Sequence, residues 1–177
     1  MGEKWLKWPD TLKLDPGAKK ALEAVPEKHP LLAKWPEGEK FLVSDQAKAI
    51  GDILIPEFHK HLVNAKVAYL FKQHVGGRGV TLFGKAALSS AKLKFLSQVD
   101  FVLEINHTIW ADASLQMRAA MIDHELSHCG TDDNGAFCFL QHDIEEFFGV
   151  VQRWGQWHTA VTTMRQVLTS QLELVPA

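Results

Sequence analysis

The stretch from Asp112 to Cys129 constrains the fold of this 177-residue chain more than any other. At 100° per residue, Leu115, Ala119, Ile122, Leu126 and Cys129 fall on one apolar stripe of a helix. Met117, Met121, His124 and His128 fall on a second stripe, nearly opposite the first. Asp112, Gln116, Asp123 and Ser127 lie together between the two and are expected to face water. A helix that is apolar on two sides must be sandwiched between layers, so both histidines are expected on an inward face.

Within that helix stands His124-Glu125-Leu126-Ser127-His128, an H-E-x-x-H pentapeptide. Residues four apart lie one turn apart on the same helix face, so both imidazoles can reach one metal ion. The intervening Glu125 points to the side, where it can act as general base toward a metal-activated water. A catalytic zinc takes three protein ligands and keeps one position open. Downstream candidates are His142, Glu145 and Glu146, at the start of a helix expected over Gln141 to Trp157. That helix would bury Ile144, Phe147, Phe148, Val151 and Trp154, and would place His142, Glu146, Gly149 and Arg153 on another side. His142 is the expected third ligand, fourteen residues after His128, with Glu146 as its rival. Arg153 and His158 are candidates for stabilising an oxyanion. Cys129 falls on the core-facing stripe and is expected as a buried thiol rather than a ligand. His59, His61 and His74 have no spacing that ties them together.

Residues 1–44 hold five of the seven prolines and three of the six tryptophans, Trp5, Trp8 and Trp35. Proline density excludes long helices there, so the segment reads as an arm packed on the domain, with one short helix near Ala18 to Ala24. Residues 45–177 form the domain proper. A helix capped by Ser44 or Asp45 runs toward His61, with Pro56 bending or dividing it. Strands are expected at Lys66 to Phe71, Gly79 to Phe83 and Phe101 to Ile105, with a turn at Gly76, Gly77 and Gly79. Everything after is expected to be helical, as far as Leu172. The order of elements predicts an α+β fold: a small three-stranded sheet beside the motif helix, then a helical C-terminal part.

Composition narrows the function. With 46% hydrophobic residues the chain can bury a real core. A net charge of −2 excludes a whole-protein basic field for nucleic acid. Only Arg78, Lys85, Lys92 and Lys94 form a locally basic stretch that could touch DNA, and a solvated rim is their default role. The longest stretch without Asp, Glu, Lys or Arg, Trp154 to Met164, is far short of the ~20 apolar residues of a membrane span. The expected location is therefore the cytoplasm.

The chain from Ala65 to Trp157 resembles the phage metallopeptidase family of HExxH proteins. The matching pieces are Tyr69-Leu70-Phe71, Gly84-Lys85-Ala86, Asp100 to Ile105, Asp123 to Cys129, His142-Asp143-Ile144-Glu145-Glu146-Phe147 and Arg153-Trp154-Gly155-Gln156-Trp157. The resemblance implies a minimal zincin-like fold, Zn2+ as cofactor, and a phage- or prophage-encoded peptidase of the bacterial host cytosol acting on a protein or peptide substrate. The chain is also distantly similar to the SprT-like metalloproteases, which cut proteins crosslinked to DNA. In those, a histidine near a helix start and a following phenylalanine correspond to His142 and Phe147, which implies His142 as a ligand. The alternative is a non-catalytic, zinc-stabilised factor binding a protein or DNA.

Overall fold

The computed structural model describes residues 14–25, 35–77, 80–142, 147–157, 159 and 161–162. In chain order these form α1 (Pro16–Glu23), β1 (Leu42–Val43), α2 (Asp45–Phe58), a 3-10 turn (Lys60–Leu62), β2 (Val67–Lys72), β3 (Val75–Gly77), β4 (Val80–Leu82) and β5 (Gly84–Leu88). They continue with α3 (Ala91–Ser97), β6 (Phe101–Asn106), α4 (His107–Asp112), α5 (Leu115–Ser127), β7 (Cys129–Thr131), β8 (Phe137–Phe139) and α6 (Phe148–Trp154). The architecture is α+β, with six α-helices and three small sheets among the described residues.

The principal sheet has the order β1-β2-β6-β5. Central β6 carries the alternation that the sequence announces: Phe101, Leu103 and Ile105 are buried, and Val102 and Glu104 are half-buried. It runs parallel to β2, Val67 opposite Phe101, and antiparallel to β5, Gly84 opposite Ile105. The expected Gly79 to Phe83 strand exists as β4 but pairs with β3 in a separate two-stranded ribbon. Its place beside β6 is taken by β5, whose Gly-Lys-Ala-Ala-Leu sequence has little strand propensity of its own. Pairing with a well-formed central strand, not local preference, makes β5 a strand.

Ser44 caps α2, its Oγ accepting from Ala47 N at 3.2 Å. Pro56 falls in the last turn, where it removes the bond to the Asp52 carbonyl, and the helix ends two residues later at Phe58 with His59 as its C-cap. The helix expected over Asp112 to Cys129 is α5, shorter at both ends and preceded by a separate short helix. Alpha4 ends at Asp112, Ala113 turns the chain, and Ser114 caps α5 through a bond from Met117 N at 3.3 Å. At the other end His128 occupies the C-cap with helical φ and ψ, and Cys129 already belongs to β7. Leu115, Ala119, Ile122, Leu126 and Cys129 are all buried, as is Met121 on the opposite side, so α5 is indeed sandwiched.

Several expectations fail. The principal sheet has four strands rather than three, and the chain after β6 is not all helix, since β7 and β8 pair as an antiparallel ribbon. Phe148, expected inside, is exposed. Asp123 does not face water; it is completely buried. Nor does the last long helix start at Gln141. Gln141 and His142 are irregular, and α6 begins only at Phe148. The cause is tertiary: Leu140 N donates to His128 O at 2.8 Å, which extends the β7–β8 pairing up to Gln141. Asp143 to Glu146, His158, Arg78, Trp5 and Trp8 lie outside the described residues, as does almost all of the expected helix toward Leu172. Trp35 is described; its indole N–H donates to Glu39 O at 2.7 Å, and its ring meets His107 edge to face. Leu22 and Val25 of the N-terminal region belong to the same buried core as Ile50, Leu103 and Leu126.

Candidate metal centre

Alpha5 and the segment after β8 bring three histidines together. His124 and His128 are one turn apart at the end of α5, and His142 approaches from the other side. Nε2 of His142 lies 3.2 Å from Nε2 of His124. One ring nitrogen from each of the three lies within 4.8 Å of those of the other two. Two nitrogens at about 2.1 Å from a tetrahedral ion are separated by about 3.4 Å, so the donor set fits a metal such as zinc. His124 is half-buried, His128 buried and His142 exposed, so the cluster is dry on the core side and open on one flank.

The ring orientations are held from outside. The carbonyl of Leu140 lies 2.7 Å from Nδ1 of His128 and can only accept, so Nδ1 carries the proton and Nε2 keeps its lone pair for a metal. Phe139 stacks on the His128 ring at 4.8 Å, nearly parallel. Phe147, which precedes α6, stands edge-on to all three imidazoles, 4.7 Å from His128, 5.3 Å from His142 and 5.6 Å from His124. Trp157 closes the His124 side and packs on Phe83. The same residue types that screen the site from water leave each imidazole few rotamers.

Glu125 is buried, with its side chain laid across the first residue of β5. Cys129, next to the motif, is fully buried, and its thiol points to Glu125 O at 3.6 Å. Burial, with the nearby Glu125 charge, pushes that thiol far above its usual range, so it is a packing group and not a thiolate ligand.

The residues flanking the pentapeptide are gripped by the turn that follows α2. His59 Nε2 donates to Asp123 Oδ1 at 2.7 Å, and His61 Nε2 donates to Cys129 O at 2.8 Å. Asp123 also receives Arg153 through both its oxygens, at 2.7 and 2.6 Å, and Trp154 Nε1 at 2.6 Å. Four donors on a carboxylate without solvent contact fix the rotation of α5 about its axis and tie it to α6. Arg153 is thus committed to Asp123 and stacks over Phe58 at 4.6 Å, which removes it as an oxyanion candidate. Sequence reasoning missed this network. Its partners lie 30 to 64 residues from Asp123, and no spacing rule connects them. In the basic stretch, Lys94 pairs with Asp100 at 2.6 Å, while Lys85 and Lys92 are exposed.

Fold and site together define an α+β protein with a three-histidine cradle that could hold a metal ion. The profile of the family described as "Putative phage metallopeptidase" matches residues 39–168. The chain belongs to that family, whose name implies a metal and a peptide substrate. No curated protein and no solved structure matches the chain. None of the described helices is long and apolar enough to cross a membrane.

Proposed function

We propose that this chain is a zinc-dependent peptidase with a zincin-like active site, in which His124, His128 and His142 hold the metal and Glu125 is the general base. The observation that carries the reading is the convergence of His142 on the two histidines of the H-E-x-x-H helix, beside a buried glutamate. These histidines would hold zinc, which would supply Lewis acidity toward a scissile carbonyl and lower the pKa of water toward about 7. The chain's own residues do the rest. His128 is held in the Nδ1–H tautomer by Leu140, and His124 is confined between Phe147 and Trp157. Glu125 takes a proton from the attacking water and returns it to the leaving amine. The exposed side at His142 is where a peptide would enter.

The test combines metal analysis with one substitution. Purified protein is expected to hold about one zinc per chain, and His124→Ala and His142→Ala to lose or weaken it. Glu146→Ala is expected to keep it, which decides the third ligand. Glu125→Gln should retain zinc and lose about 100- to 10,000-fold in peptide hydrolysis. Full activity in that variant would overturn the mechanism. Zinc binding with no hydrolysis of any unfolded protein would leave the metal as a structural element of a binding protein.

A further inference from the structure

We propose that Gly84, the first residue of β5, is a positioning residue for Glu125; the inference rests on the peptidase reading above. A Cβ built on Gly84 would stand 2.7 Å from Glu125 Oε1 and 3.0 Å from both its Cδ and its Cγ. Three consecutive atoms of the glutamate therefore lie across the bare face of the glycine.

Gly84 is not there for its backbone. Among the described glycines, positive φ is confined to Gly38, Gly76, Gly135 and Gly155. Gly84 is an ordinary strand residue whose conformation any amino acid could adopt, so what the site requires is the missing side chain.

Neither backbone can retreat. The strand is held by its register against β6, with Gly84 opposite Ile105 and Lys85 opposite Glu104. It is held further at its start, where Asn106 N donates to Phe83 O at 2.9 Å and Asn106 Nδ2 donates to Leu82 O at 3.0 Å. Alpha5 is held by the four bonds to Asp123 and by fully buried Leu126. An added methyl must therefore be accommodated by Glu125 itself. Because Cγ is among the crowded atoms, rotating the carboxylate is not enough; the side chain has to turn about χ1 within a buried site. Gly84→Ala thus displaces the general base while leaving all three histidines in place. Displacement of a catalytic group by about 1 Å is enough to cost about 100-fold in rate.

The experiment uses full-length wild type, Gly84→Ala, Glu125→Ala and the double variant. It reads zinc per chain, steady-state hydrolysis of fluorogenic casein, and the thermal midpoint of the zinc-free proteins. Gly84→Ala is expected to keep its zinc and its KM and to lose about 100-fold in kcat. Loss of kcat with KM and zinc kept is the readout that a merely structural glycine would not give, and in the zinc-free proteins the sign of the midpoint shift tests whether the clash is with Glu125. Gly84→Ala lowers the midpoint when Glu125 is present. On the Glu125→Ala background it raises the midpoint by ~2 °C, because alanine then fills an open space and restricts the unfolded chain. Undiminished kcat in Gly84→Ala, or a shift of the same sign on both backgrounds, would overturn the proposal. If zinc-loaded wild type cuts nothing while the sign reversal is seen, the contact stands and the peptidase reading falls, taking the catalytic meaning of Gly84 with it.

Discussion

A buried carboxylate next to the three-histidine cluster is an expensive residue, and Asp123 shows how the expense is met. Its charge is matched by the Arg153 guanidinium in a two-point contact, and its remaining lone pairs by Trp154 and His59. Asp123→Ala would take the two-point ion pair away from the largely buried Arg153, so a loss of about 3–5 kcal/mol in unfolding free energy is expected by denaturant titration. A loss below 1 kcal/mol would mean that Arg153 finds water or another partner at little cost. The helical phase alone put Asp123 on a wet face, because phase reports the side of a helix and not what packs there. His124 and His128 were legible for the opposite reason: their relation is local, fixed by the pitch of one helix turn. His107 gives a second prediction at this scale. It is buried against Phe71 and Trp35, and burial holds its pKa below the ordinary 6.5. The unfolded chain therefore takes up this proton first, and stability is lost as pH falls from 6.5 through the lower folded value. Between about pH 7.5 and pH 5, the thermal midpoint of wild type should fall more steeply than that of His107→Gln.

Elements were readable where a local rule sufficed and misread where pairing decided. Alpha2 begins at its Ser44 cap and β6 shows strict alternation, both visible in a few consecutive residues. Beta5 has neither β-branched nor aromatic side chains; only its place beside β6 makes it extended. The break between α4 and α5 was legible in principle, since Asp112-Ala113-Ser114 ends one helix and caps the next. That cap matters because α5 carries the motif. Ser114→Ala removes the acceptor for Met117 N and should cost about 1 kcal/mol in unfolding free energy, with zinc content unchanged. Loss of zinc in this variant would show instead that the start of α5 sets the geometry at its end. The late onset of α6 has the same lesson at its other boundary. His142 joins the cluster from the segment that follows the β7–β8 pairing and not from a helix start.

For the whole molecule, the question is what a metal would join. His124 and His128 sit on α5, locked into the core by Ile122, Leu126 and the Asp123 network. His142 lies on an exposed segment beyond β8, tied to α5 by the reciprocal bonds between His128 and Leu140. A metal held by all three therefore crosslinks the firmest element to a peripheral one, across a separation of fourteen residues in sequence. Binding to the folded state alone adds about 4 kcal/mol of stability at a thousandfold excess over Kd. For a chain of this size that is a rise of about 10 °C in the thermal midpoint, reversed by a chelator. The gain should be distributed unevenly. Amide exchange at Leu140 and His142 should accelerate strongly when zinc is removed, while Leu103 in β6 and Ile122 in α5 should change little, since packing already holds them. Equal acceleration in all four places would mean that the metal holds the entire fold together and that its role is structural throughout. Protection lost only near His142 is what an active site requires: a preformed helix and base, with one ligand arm completed by the metal itself.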